Sequence, residues 1–179
     1  TDLVAIFNQC GLRVNALVAD DPQETMGVND RIDLAKAQKW MTRHECERHM
    51  RNGVTIIDPE TVYIDVGVKI GADTVIYPNV IIQGDTVIGE RVTILSNSFL
   101  RNAVIADEVC IDSSKIVESS VGARTTIGPM SHLRNHTEIA EDCRIGNFVE
   151  FKNSHFGKGS KCAHLTYVGD ADVGSGVNF

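Results

Sequence analysis

The sequence lacks several features that would place it in common classes of protein. No apolar run in its 179 residues approaches the roughly 20 residues that a membrane-spanning helix needs. Its five cysteines are odd in number and lack any CxxC spacing, so reduced thiols in the cytoplasm are the simplest account. The chain also has no excess of basic residues, and a net charge of −7 argues against nucleic acid as its main partner.

What the sequence has instead is a repeat of six residues from Ile64 onward. Aliphatic residues recur at that step in two runs, and the step shortens to five between and after them. This period fits neither an α-helix nor a sandwich, but it is typical of a parallel β-helix, in which each hexad is one flat face and three faces close a coil. We therefore expect a mainly β fold, a left-handed parallel β-helix, with the hand taken from known hexapeptide helices. The residues predicted to fill its axis are Ile64, Ile70, Ile76, Ile82, Ile88, Ile94, Leu100, Ile105, Ile111, Val121, Ile127, Leu133, Ile139, Ile145, Phe151, Phe156, Cys162, Val168, Val173 and Phe179.

A second position of the repeat carries only small or β-branched side chains. It follows the axial residue by four, where the chain approaches a corner of the coil and has little room. A dozen residues share this frame, which makes a chance pattern an unsatisfactory explanation. They are Thr74, Val80, Thr86, Val92, Ser98, Val109, Thr125, Ser131, Thr137, Cys143, Val149 and Ser160.

The first 20 residues have a different pattern. Residues 2–10 read as a short helix that ends at Gly11, with Thr1 as a candidate N-cap. Residues 13–19 then alternate like a strand. One helix and one strand cannot bury a core, so this segment either docks on the rest of the chain or belongs to a larger domain.

A longer helix is predicted immediately before the repeat. Asn29 or Asp30 could cap it, and it runs from Arg31 to about Arg51 with Gly53 as its end. Its apolar residues form only a loose stripe among many charges. We expect a connecting arm with solvated side chains rather than a core element.

Histidines offer weak candidates for a metal site. His44, Glu45 and His49 resemble the HExxH pattern of zinc proteases, but the histidines are five residues apart rather than four and face different sides of a helix. A hexapeptide carbonic anhydrase would need three histidine ligands, and no such set is clear. The remaining candidate pairs are His132 with His136 and His155 with His164.

The spacing of the repeat also predicts which outward-facing side chains stack on adjacent coils. Residues eighteen apart stack on adjacent coils about 4.8 Å apart, which places Arg134 against Lys152. A phosphate-bearing ligand would relieve the repulsion between these cations, although a pair of solvated surface cations is the simpler alternative. A coil of seventeen residues places Glu150 against Tyr167, and His164 follows an axial residue near the same edge. A histidine near a carboxylate, a phenol and two cations favours a general base.

Three strings of the sequence resemble one known family. GNFVEFKNSHFGKGSKCAHLTYVGDADVGSGVN and SHLRNHTEIAEDCRIGNFVE resemble the acetyltransferase domain of the bacterial bifunctional N-acetylglucosamine-1-phosphate uridyltransferase and glucosamine-1-phosphate N-acetyltransferase. GVNDRIDLAKAQKW resembles the end of the uridyltransferase domain and its linking helix. The resemblance covers essentially the whole chain. It implies a C-terminal remnant of the α/β nucleotidyltransferase domain in residues 1–29, a linker helix in 30–53, and the N-terminal part of the β-helical acetyltransferase domain in 54–179.

The resemblance also implies roles for individual residues. His164 matches the catalytic base that deprotonates the amine of glucosamine 1-phosphate for attack on acetyl-CoA, and Glu150 matches the acidic residue close to that base. Asn29 matches a magnesium ligand of the uridyltransferase site, which uses UTP. The residues that match sugar-phosphate contacts are Arg134, Lys152, Tyr167 and Asn178.

Two hypotheses for the chain remain open at this point. The enzymatic hypothesis is an internal piece of the bifunctional enzyme, since the family's nucleotide loop would precede Thr1 and its coenzyme A coils would follow Phe179. The structural hypothesis is a β-helical scaffold and trimerisation module without turnover, as in other sugar-nucleotide pyrophosphorylases. Members of the family are homotrimers with acetyltransferase sites between neighbouring helices, so a homotrimer is expected.

Overall fold

The computed structural model describes residues 2–179, so Thr1, the candidate N-cap, lies outside the described residues. The chain divides into two compact units, one up to Trp40 and the other Met41–Phe179. The helical elements are α1 (Asp2–Gln9), a 3-10 turn (Pro22–Thr25) and α2 (Arg31–Arg51). No helix in residues 2–179 is long and apolar enough to cross a membrane.

The first unit begins with the expected short helix. Gly11 follows α1 with a φ of +71°, a left-handed conformation that suits glycine at a helix end. None of the residues of α1 is buried. The strand predicted for residues 13–19 is wrong, because no strand occurs there. An alternating pattern forms a strand only where another strand supplies hydrogen bonds, and none pairs with this segment in the described part of the chain.

The long helix α2 is confirmed, and the structure distinguishes between its two candidate caps. The Asp30 carboxylate accepts hydrogen bonds from the backbone N–H groups of Ile32 and Asp33, both at 2.8 Å. These N–H groups lack partners within the first turn of a helix, so Asp30 is the N-cap rather than Asn29. Gly53 ends the helix with a φ of +89°.

The second half of α2 is a core element, contrary to the expectation of a solvated arm. Thr42, Glu45, Cys46 and His49 are buried. Cys46 belongs to the same apolar cluster as the first coil of the repeat, and its Sγ lies 3.7 Å from the carbonyl oxygen of Val62. The helix therefore covers apolar side chains at the open end of the solenoid, a surface that repeat proteins must protect.

The second unit contains twenty-one short strands in three parallel sheets of seven strands each. We call these sheets the first, second and third faces. The first face contains β1 (Thr55–Ile56), β4 (Val75–Ile76), β7 (Thr93–Ile94), β10 (Cys110–Ile111), β13 (Thr126–Ile127), β16 (Arg144–Asn147) and β19 (Lys161–His164). The second face contains β2 (Tyr63–Ile64), β5 (Ile81–Gln83), β8 (Phe99–Arg101), β11 (Lys115–Val117), β14 (His132–Arg134), β17 (Glu150–Lys152) and β20 (Tyr167–Gly169). The third face contains β3 (Lys69–Ile70), β6 (Val87–Ile88), β9 (Val104–Ile105), β12 (Ser120–Val121), β15 (Glu138–Ile139), β18 (His155–Phe156) and β21 (Asp172–Val173). The three-sided parallel β-helix is confirmed.

The predicted axial residues form the core, with exceptions at the ends. Most are at most 6% exposed, but Ile70 and Val173 are only partly buried and Phe179 is 55% exposed. Phe179 therefore lies outside the core formed by residues 2–179, contrary to its assignment to the axis. Ile116 is an axial residue that the periodic series omitted, and it lies five residues after Ile111.

The corner positions explain why serine and threonine recur in a solenoid core. The Thr125 hydroxyl donates to the carbonyl oxygen of Ala140 at 3.0 Å and accepts from the N–H of Cys143 at 3.1 Å. Both partners lie on the next coil. A buried hydroxyl thus satisfies two backbone groups that the strand ladder leaves free at the corner. All twelve residues predicted for this position are buried.

Candidate functional site

Polar side chains form two columns on the second face of the last coils. They lie on β14, β17 and β20, on either side of inward-facing Leu133, Phe151 and Val168. The ladder register stacks the outward residues as the sequence predicted. One column is His132, Glu150 and Tyr167, and the other is Arg134, Lys152 and Gly169.

Arg134 is paired across the two columns. Its Nε donates to the Oε1 of Glu150 at 2.7 Å, and the side chains are 31% and 39% exposed. The guanidinium uses only Nε in this bond, which leaves the two terminal nitrogens available to a ligand. The carboxylate therefore fixes the planar guanidinium without occupying most of its donors.

Lys152 has its own carboxylate partner. Its Nζ lies 3.0 Å from the Oδ2 of Asp170, while the Oδ1 of Asp170 accepts from the Nδ2 of Asn153 at 2.8 Å. The hydrogen bond to Asp170 raises the pKa of Lys152, and bonds from Asn153 and Lys152 lower the pKa of Asp170. Lys152 is therefore held as a cation. Asp170 is absent from the residues predicted from the sequence. It lies one residue after Gly169, the register partner of Lys152, and the seventeen-residue coil stacks it on Asn153.

Gly169 makes room for the Tyr167 side chain. A Cβ atom at Gly169 would lie 2.6 Å from the Cζ of the Tyr167 ring, closer than any real side chain tolerates. The phenol therefore lies over the backbone next to Lys152, whose register partner is Gly169. Any side chain at this glycine would displace the ring from the column.

His164 lies on a different face from these residues. It ends β19 on the first face, with Asn147 as its register partner, and it is exposed. The Thr166 hydroxyl donates to the carbonyl oxygen of His164 at 2.8 Å. Within residues 2–179, no hydrogen bond joins His164 to Glu150, whose carboxylate binds Arg134 instead. The predicted support of the base by Glu150 is thus not seen as a direct contact.

Asn178 is next to His164's strand rather than in the cationic column. It forms a parallel bridge with Lys161, the first residue of β19. The two residues therefore belong to the first face at the last coils. Asn29 lies in the first unit, next to the residue that caps α2.

A model of the GMPPB C-terminal domain family matches residues 59–155 of the chain. The chain belongs to this family. Curated relatives extend the likeness over the whole sequence: bifunctional protein GlmU of Geobacillus sp. (strain WCH70) is 49% identical over 99% of the chain. Bifunctional protein GlmU of Clostridium kluyveri (strain NBRC 12016) is 46% identical over 100% of the chain. These relatives confirm the resemblance to the bifunctional enzyme, and the chain spans 39% of the length of each.

Solved structures of other proteins resemble the chain more distantly. PerB from Caulobacter crescentus, in complex with CoA and GDP-perosamine, aligns with a TM-score of 0.36 and 16% identity over 98% of this chain and 86% of that chain. The UDP-N-acetylglucosamine acyltransferase of Francisella novicida aligns with a TM-score of 0.34 and 18% identity over 65% of this chain and 59% of that chain.

Two other histidines, His49 and His155, have side-chain partners. Arg48 donates from Nη2 to the Oε2 of Glu45 at 2.7 Å and contacts the Nε2 of His49 at 3.0 Å. Both Glu45 and His49 are buried, so the expectation that they are solvated is wrong. His155 Nδ1 lies 2.9 Å from Asp172 Oδ1. Residues 2–179 contain no group of three or more histidine, cysteine, aspartate or glutamate side chains placed to hold a metal ion.

The arrangement on the second face is chemically suited to an anion. Two cations are stacked on neighbouring strands, are each tied to a carboxylate, and are 31% and 32% exposed. A phosphate that accepts from both would use a guanidinium fork and an ammonium point charge together. Arg134 and Lys152 are thus close enough, and exposed enough, for one anion to contact both.

Proposed function

We propose that the chain carries the sugar-phosphate half of a glucosamine-1-phosphate N-acetyltransferase site. The observation that supports this most strongly is the register of Arg134 on Lys152, flanked by Glu150 and Tyr167. The same four residues match the family's motifs. In the complete protein, this site transfers the acetyl group of acetyl-CoA to the sugar amine, and a separate site transfers the uridyl group of UTP.

The phosphate of glucosamine 1-phosphate binds between Arg134 and Lys152. Both side chains already have their carboxylate partners, so the phosphate uses the donors that remain on each. The Tyr167 hydroxyl, next to Lys152, donates a further hydrogen bond to the sugar phosphate, and Asn178 contacts the sugar. Binding then fixes the amine relative to His164, which is the orientation step that catalysis by proximity requires.

His164 acts as the general base. The amine of glucosamine 1-phosphate is a nucleophile only when it is neutral, so His164 accepts a proton as the nitrogen attacks the thioester carbonyl of acetyl-CoA. The proton can then pass to the departing sulfur, which leaves an amide and free coenzyme A. A positioned base of this kind contributes about 10²- to 10⁴-fold to the rate. Glu150 assists through the sugar-phosphate site, where it holds Arg134.

The uridyl-transfer activity has less support within these residues. Mg²⁺ prefers six oxygen ligands in near-octahedral geometry. Asn29 supplies one candidate oxygen, and no cluster of three suitable acidic, cysteine or histidine ligands occurs in the described range 2–179. The residues present do not by themselves form a magnesium site, and further ligands would have to come from elsewhere in a complete protein.

An apolar ridge beside His164 supports a homotrimer, since a neighbouring copy would cover its exposed side chains. Met130, Phe148 and Leu165 are 58%, 62% and 76% exposed. They occupy the corner of the coil between the first and second faces and have positive φ angles of 59°, 54° and 50°, which bulky side chains rarely adopt. Sedimentation at several concentrations tests this assembly. A purely monomeric chain at every concentration would argue against a site shared between copies.

The phosphate site can be tested by binding to the 179-residue chain. NMR titration with glucosamine 1-phosphate should show that Arg134→Gln weakens binding by about 10- to 100-fold, as expected for hydrogen bonds to charged groups. Arg101→Gln is the matched control. Arg101 occupies the same column two coils before Arg134, and Val117 lies between them. Equal effects of the two substitutions would refute the location of the phosphate.

The base can be tested in a full-length protein that contains this segment. His164→Ala should abolish acetyl transfer and leave uridyl transfer intact. Loss of neither activity would refute the assignment of the base. Turnover of glucosamine 1-phosphate and acetyl-CoA by the 179-residue chain itself would exclude the alternative of a scaffold without activity.

A further inference from the structure

We propose, on the basis of the proposed acetyltransferase function, that Asp170 is a positioning residue that holds Lys152 in the phosphate site. Asp170 acts through Lys152 and does not contact the sugar phosphate itself. Its assignment depends on three features of the structure, which are the pairing of the two side chains, the rigid attachment of Asp170, and the donors that this pairing leaves free.

Lys152 needs a partner because its neighbour in the column is another cation. Arg134 is its register partner, about 4.8 Å away along the ladder. A lysine side chain has four rotatable bonds, and an unpaired ammonium would move away from the guanidinium into solvent. The ion pair with Asp170 at 3.0 Å holds the ammonium at the column against this repulsion. Arg134 has an equivalent restraint in Glu150.

Asp170 is itself held in place by several contacts. Its backbone N–H donates to the carbonyl oxygen of Lys152 at 2.9 Å. Its Oδ1 accepts from Asn153 at 2.8 Å, so each carboxylate oxygen has a separate protein partner. The residue has a φ of +51°, a conformation that aspartate and asparagine tolerate better than most residues. The carboxylate, which is 59% exposed, is therefore held by a protein partner on each oxygen.

The pairing leaves the ligand-binding capacity of the cations intact. An ammonium has three N–H donors, and Asp170 takes one of them. The Lys152 side chain is 32% exposed, so the remaining donors reach solvent. Asp170 itself is bound on both oxygens and carries a negative charge, which excludes it as a phosphate contact. Asp170 restricts the Lys152 side chain before the ligand arrives. Binding therefore costs less conformational entropy at Lys152.

Asp170→Asn in the 179-residue chain tests the proposal, with Asp172→Asn as the control. Both substitutions remove one negative charge, but Asp172 pairs with His155 on the third face. Asparagine also tolerates the left-handed conformation of Asp170, so folding should be preserved. NMR titration with glucosamine 1-phosphate should show binding about 3- to 5-fold weaker for Asp170→Asn than for Asp172→Asn, as expected for one exposed ion pair. Equal or tighter binding by Asp170→Asn would overturn the proposal.

A second measurement separates positioning from a general structural effect. In a Lys152→Gln background, Asp170→Asn should cause no additional loss of affinity, because the two residues act as a unit. An additive loss would overturn the mechanism. The Lys152 Cε signal should also titrate at lower pH in Asp170→Asn than in the unsubstituted chain, and an unchanged titration counts against the pairing. If the unsubstituted chain binds no glucosamine 1-phosphate, the proposed function fails, whereas binding that Asp170→Asn leaves unchanged refutes only the role of Asp170.

Discussion

Phe151→Ala should strongly destabilise the β-helix and thereby the site above it. Phe151 is fully buried on β17, between outward-facing Glu150 and Lys152, and its ring lies 5.0 Å from that of Phe156. Truncation of a buried phenylalanine to alanine costs about 3–5 kcal/mol of the free energy of unfolding. That is a large share of the roughly 5–15 kcal/mol that stabilises a typical domain. Urea denaturation followed by circular dichroism measures the change.

Phe179→Ala is the control because the six-residue period assigns both phenylalanines to the axis. Phe179 is 55% exposed, so the same truncation there should cost less than about 1 kcal/mol. If Phe151→Ala does not fold, Phe151→Leu keeps most of the apolar volume and should cost about 1 kcal/mol. Equal destabilisation by the two alanine variants would refute the difference in packing that the structure assigns to the axial positions.

Three further predictions concern individual buried groups. Burial and, as a smaller cause, the charge of Arg48 lower the pKa of His49 below its ordinary value of 6.5. His49 therefore binds a proton more readily in the unfolded chain than in the folded one. The free energy of unfolding should therefore fall as pH drops below about 6.5, and a His49→Gln variant that kept the same dependence would contradict this. Thr125→Val leaves two buried backbone groups without partners and should cost about 1–3 kcal/mol in urea denaturation, whereas exposed Thr126→Val should be nearly neutral. Burial raises the pKa of Cys46 to about 11, so a thiol reagent should modify exposed Cys10 first and reach Cys46 only on unfolding; equal rates would refute its burial.

The periodic core was predictable because each coil repeats one geometric constraint. An axial position has room for one apolar side chain, so Ile82, Ile94 and Leu133 could be assigned from spacing alone. Ile116 was omitted where consecutive steps of five interrupt the run. Phe179 has the spacing of an axial residue but is 55% exposed, because burial depends on the coils that pack on both sides of a residue and the period contains no information about them.

The elements before the repeat were less predictable because their burial and pairing depend on contacts with residues distant in the sequence. The ends of α2 follow from local chemistry, through the Asp30 cap and the glycine at position 53. The burial of Glu45 and His49 on this helix was not evident from its weak apolar stripe, since it depends on contact with the first coil. Residues 13–19 alternate without forming a strand, which shows that the pattern is insufficient without a pairing partner.

Within the candidate site, the sequence predicted the register but not the ion pairs. Spacing determines which backbone positions are adjacent, so Arg134 against Lys152 and Glu150 against Tyr167 were predictable. The bond of Arg134 to Glu150 runs diagonally between columns and depends on side-chain conformation, which a spacing rule does not contain.

A crystal structure of the chain with bound glucosamine 1-phosphate tests the central proposal most directly. Phosphate oxygens should lie about 3 Å from the Nη atoms of Arg134 and from the Nζ of Lys152, with the amine directed toward His164. The carboxylates of Glu150 and Asp170 should keep their present partners in that complex. A phosphate bound elsewhere on the β-helix, with Arg134 and Lys152 still free of ligand, would refute the proposed phosphate site.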